Sequence, residues 1–145
     1  MTEIIIVLLL GFVYLVYGRG ILRRESKQLR HINELAQQIR AVLQQNSYEK
    51  SKRLYAQAGE AFKQLKPAER RAVYSTISEL RHEVDAQYVK TLISEATALL
   101  AQGRQDHAQK AYDKLSAVYR SLPPSCRKTI YDQCAQLYKK IAEKR

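Results

Sequence analysis

The sequence predicts an all-α protein: an N-terminal single transmembrane helix followed by a two-repeat antiparallel helical bundle, in effect a short α-solenoid. Three observations carry this. Apolar residues past position 30 recur in steps of three and four and never alternate with period two. Residues 4–17 are an uncharged apolar run. The chain also nearly repeats itself at an offset of 57 residues, which takes Tyr55 to Tyr112 and Pro67 to Pro124.

The first element is the anchor, residues 1–22. A spanning helix takes about 20 apolar residues, with a lower limit near 17. Residues 4–18 approach that length, and Ile21 and Leu22 extend it once Arg19 lifts its head group to the interface. Isoleucine, valine and leucine occupy every face, which suits lipid and not a surface helix. A cleaved signal peptide is not expected: no basic residue precedes the run, and Tyr17-Gly18-Arg19 is not a small-residue cleavage site. Arg19, Arg23, Arg24 and Lys27 form a basic flank on the C-terminal side. The positive-inside rule then places the N-terminus outside and the C-terminal domain in the cytoplasm.

The remainder, 23–145, is long enough for one modest domain. The chain has 25 lysines and arginines against 14 acids, a net charge of +11, and every basic residue follows the apolar run. Such a balance suits an anionic membrane surface, an acidic protein or a nucleic acid. Cys126 and Cys134 lie eight residues apart on one expected helix, roughly 12 Å in rise, too far to join within it. Reduced thiols agree with a cytoplasmic domain.

Two repeats, 28–84 and 85–144, divide this domain. The tract Y-x9-L-x-P-x2-R-x2-[VI]-Y-x5-L occurs twice: Tyr55, Leu65, Pro67, Arg70, Tyr74 and Leu80 recur as Tyr112, Leu122, Pro124, Arg127, Tyr131 and Leu137. Each copy reads as three helices. The first has apolar stripes Ile32-Leu35-Ile39-Val42, then Val89-Leu92-Ala96-Leu100. The second has Tyr55-Ala58-Phe62-Leu65, then Tyr112-Leu115-Tyr119-Leu122. The third has Val73-Ile77-Leu80-Val84, then Ile130-Cys134-Leu137-Ile141. Asn46 and Gly103 are suitable residues just past a helix end. Pro67 and Pro124 suit a first helical turn, where a missing N–H costs nothing. Nothing breaks the chain between Pro67 and Gln102, so the third helix of one copy either continues into the first helix of the next or bends near Val84-Asp85.

Two family resemblances enter on these residues. The tract Leu99-Leu100-Ala101-Gln102-Gly103, through Ala108 and Tyr112 to Pro123, resembles a tetratricopeptide repeat, although the period here is 57 and not 34. The resemblance implies a helical repeat that binds protein segments. The tail from Tyr112 through Tyr119, Leu122, Pro123, Arg127, Tyr131 and Cys134 to Tyr138 is similar to the tails of uncharacterised membrane-anchored helical proteins of archaea. Sharing one helix between consecutive three-helix units is similar to spectrin-type arrays.

No catalytic constellation is visible. His31, His82 and His107 are far apart, no glycine-rich phosphate loop is present, and Glu79 with Glu83 reads as a solvated face. Enzymatic activity, a cofactor, a metal and a small-molecule substrate are therefore not expected. Cys126, beside Arg127 and Lys128 in a first turn, combines features that favour thiolate, but an idle thiol is the simpler reading. Arg70 with Tyr74, and Arg127 with Tyr131, form a repeated pair. It either closes the corner before the third helix or forms a docking patch, Tyr and Arg being enriched at interface hot spots. The functional expectation is a membrane-tethered protein-interaction or scaffold module, or an accessory subunit of a membrane complex. Nucleic-acid binding is the alternative, and the dispersal of basic residues among acids argues against it.

Overall fold

Helix α1 (Lys27–Gln44) is followed by α2 (Tyr48–Lys63), α3 (Pro67–Ala101), α4 (Gln105–Ser121) and α5 (Pro124–Ala142). The computed structural model describes residues 26–143. The expected anchor, and with it Arg19, Arg23 and Arg24, lies outside the described residues. Among the described residues there is no strand, and no helix is long and apolar enough to cross a membrane.

The 57-residue offset carries α1 onto the second half of α3, α2 onto α4, and the first half of α3 onto α5. The first helix of each copy ends in the same way. At the end of α1, Asn46 takes φ 56° and the Ser47 N–H donates to the Val42 carbonyl. At the end of α3, Gly103 takes φ 74° and the Arg104 N–H donates to the Leu99 carbonyl. Both are helix ends closed by a left-handed residue, for which Gly and Asn are the least strained choices. Pro67 and Pro124 each open their helix, as expected.

Helix α3 is continuous over 35 residues, about 50 Å at 1.5 Å per residue. It is the shared element. Val73, Leu80, Val84 and Gln87 are buried along one side, then Val89, Leu92, Ala96 and Leu100 along another. At 3.6 residues per turn the two stripes are roughly 150° apart. The first half packs on α1 and α2 around Leu35, Ile39, Ala58 and Leu80. The second half packs on α4 and α5 around Leu92, Ala96, Leu115, Ile130 and Leu137. The α1–α2 pair makes no extensive contact with the α4–α5 pair, so α3 is the principal mechanical link between the units. One further tie crosses the switch: the ring of Tyr48, first residue of α2, stacks on Tyr88 with centroids 4.6 Å apart.

Small residues set how closely the second helix of each unit approaches the first. Ser51 and Ala108 occupy equivalent positions and are both fully buried. The Ser51 hydroxyl is satisfied by donating to the Tyr48 carbonyl at 2.8 Å, so its burial leaves no polar group without a partner.

Candidate functional site: the groove between α4 and α5

Each of α4 and α5 leans on α3 far more than on the other. Their inner faces, with Ala108, Ala111, Ile130 and Leu137, are consumed by that packing. The faces they turn towards each other are left as an open groove. Tyr112, Ser116, Tyr119 and Arg120 line it from α4, and Tyr131, Cys134, Ala135 and Tyr138 from α5, with Leu115 at its floor; its volume is about 400 Å³. A second hollow of about 510 Å³ continues it towards the start of α5, sharing Tyr119 and Tyr131 and adding Pro124, Arg127, Lys128 and Asp132. Tyr112 and Tyr138 meet at 5.8 Å between centroids across the groove. The Tyr119 hydroxyl donates to the Arg127 carbonyl at 3.4 Å, tying α4 to the first turn of α5.

The four expected docking residues are placed unequally. Tyr74 and Tyr131 are both turned outward, 66% and 60% exposed. They stand further from the core than an edge position would. The arginines diverge. Arg70 closes its corner: Nε donates to the Leu65 carbonyl at 2.9 Å and Nη2 to the Lys63 carbonyl at 2.6 Å, satisfying the end of α2. Arg127 makes no such bonds, and its Nε is buried without a partner. Neither guanidinium stacks on its tyrosine. The cation over a ring among the described residues is Lys52, 5.8 Å from the Tyr48 centroid. Lys27 of the expected membrane flank is the first residue of α1 and is exposed.

Of the residues that complete the groove, Tyr112 and Tyr119 read from periodicity as core, and both do pack against it, whereas Tyr138 lies off the apolar stripes. Tyr112 and Tyr119 are half-buried groove walls, and Tyr138 is exposed. A signal was available. Tyr112 and Tyr119 are seven apart, as are Tyr131 and Tyr138, so each pair shares one face of its helix. Repeat one places Tyr55, Phe62, Tyr74 and Arg81 at the equivalent positions, and Arg81 turns to Asp85 at 3.8 Å.

Glu79 and Glu83 flank Arg40 of α1, at 3.7 and 3.6 Å, an exposed bridge from α1 to α3. Among the described residues no three His, Cys, Asp or Glu side chains converge to hold a metal. Cys126 and Cys134 are free thiols, and burial pushes the Cys134 thiol up from its ordinary value. What the groove offers chemically is apolar and aromatic surface with cationic donors at one end, which suits binding. Among the described residues, the fold is all-helical, with the α4–α5 groove open on one side and a further shallow hollow between α1 and α2. No family model, curated protein or solved structure matches the chain.

Proposed function

We propose that this chain is a non-enzymatic protein-docking module, held at the membrane by residues 1–22 with its helical domain on the cytoplasmic side. The observation that carries the docking reading is the α4–α5 groove, an exposed trough walled by four tyrosines with arginine and lysine at its mouth. Such side chains provide large, rigid contact area and charge-assisted bonds at interfaces. The tetratricopeptide-like tract 99–123 supplies one wall, in keeping with a repeat that binds protein segments. The uncharged run and its basic flank support the tether.

The test is co-purification of the full-length chain from its native membranes in mild detergent, beside a Tyr131→Ala/Tyr138→Ala variant. Both tyrosines are exposed, so the variant keeps its fold. A stoichiometric protein partner that is lost with the variant is the expected result. A partner retained by the variant contradicts the groove, and a chain recovered alone contradicts the docking reading.

A further inference from the structure

The two repeats finish the same corner differently, and the difference identifies what the second one takes. In repeat one the corner is satisfied from within. The Glu69 carboxylate accepts the Lys66 N–H at 3.1 Å, and Arg70 is occupied by the Lys63 and Leu65 carbonyls. In repeat two Cys126 stands where Glu69 stands, and α5 has no acid in its first turn and no side-chain cap. Arg127 donates nothing from its guanidinium, and its Nε is buried without an acceptor. Lys128 lies beside it on the same hollow, where Asp132 is the one acid in the lining. The half-exposed Arg127 guanidinium therefore has donors that the protein leaves unoccupied, and the positive end of α5 adds to the demand for negative charge.

Resting on the docking reading above, the geometry points to an acidic peptide segment as the occupant. One of its carboxylates is received by Arg127 and Lys128 at the mouth of α5. Its neighbouring apolar side chains lie along Tyr119, Tyr131 and Tyr138. A peptide fits better than a nucleic acid, because two adjacent cations beside Asp132 match a single carboxylate, whereas a phosphate backbone calls for a continuous basic track. Arg70, already engaged, takes no part.

The test titrates the full-length chain, in detergent, with a short synthetic peptide of alternating glutamate and leucine, read by calorimetry at low and physiological salt. Parallel titrations use the peptide with glutamine in place of glutamate, and an oligouridylate. The expected result is binding of the glutamate peptide only, weakened about tenfold or more in Arg127→Gln, as for loss of a charge-assisted bond. Lys128→Glu, an exposed change that leaves packing alone, weakens it similarly, while Arg70→Gln binds as the parent does. Equal binding of the glutamine peptide, tighter binding of oligouridylate, unchanged affinity in Arg127→Gln and Lys128→Glu, or no binding at all overturns the proposal. If the native partner is still lost with Tyr131→Ala/Tyr138→Ala while the acidic peptide fails, the carboxylate assignment falls and the docking reading stands. If both fail, both fall.

Discussion

Asn46 and Gly103 hold the same left-handed turn, 57 residues apart, each closing the first helix of its unit and setting the direction of the second. The backbone demand is the same at both sites, and the residue that meets it differs. Gly103→Ala is expected to lower stability by about 1 kcal/mol, the cost of a Cβ in this conformation. Exchanging the pair, Asn46→Gly with Gly103→Asn, is expected to cost less than Gly103→Ala alone. Urea denaturation followed by circular dichroism checks both.

The shared helix makes α3 the coupling element. Gln87 is buried where the apolar stripe changes sides. Gln87→Pro removes a helical hydrogen bond and bends the chain there, at a cost of about 3 kcal/mol or more. The expected outcome is a lower Tm and a transition that splits in two, because α1–α2 and α4–α5 no longer share one rigid strut. Calorimetry reads this, and a single sharp transition at the parental temperature contradicts it.

Two carboxylates on α3 have opposite pH behaviour. Burial raises the Asp85 carboxyl above its ordinary value, with Arg81 and His82 offsetting part of the effect. The folded state therefore binds this proton more tightly, and stability is lost as pH rises from the ordinary Asp range through the raised folded value. Asp85→Asn is expected to raise Tm at neutral pH, with the gain vanishing in acid.

Glu69 runs the other way. The Ser26 hydroxyl and the Lys66 N–H hold its carboxyl below the usual range. Its contribution is present above the ordinary Glu value and is lost as pH falls through the lowered folded one. Glu69→Gln is expected to lower Tm at neutral pH and to match the parent in strong acid. Thermal melts across a pH series measure both variants, and gains or losses that are constant with pH contradict the assignments.

The thiols differ in reach. Cys134 is buried in the α3–α4–α5 core, and Cys126 is half-exposed at the start of α5. A thiol-specific colorimetric reagent is expected to label Cys126 in the native protein and Cys134 only after denaturant is added. Equal native rates contradict the packing of α5.

The helices and their ends were legible because local chemistry dictates them. Pro67 and Pro124 start helices, Asn46 and Gly103 end them, and the period of three and four marks the faces turned to α3. The continuity of α3 was left open, since the stripe changes sides near Gln87 without any glycine or proline to announce it. Periodicity also cannot separate a side chain packed in a core from one lining a cleft. Tyr112 and Tyr119 read as core for that reason, and how far α4 and α5 stand apart is decided by their packing on α3. The divergence of Arg70 and Arg127 was hidden as well. The same residue in the same motif donates to the Leu65 and Lys63 carbonyls in one copy and leaves its Nε without an acceptor in the other.

Site-specific photocrosslinking in native membranes tests the central claim most directly. Tyr131 and, separately, Tyr74 are replaced by a benzophenone amino acid in the full-length chain, and the adducts are resolved after irradiation. The account predicts a discrete adduct with a second protein from position 131, reduced by Arg127→Gln, and none from the equally exposed position 74. Identical adducts from both positions, or none from position 131, would contradict it.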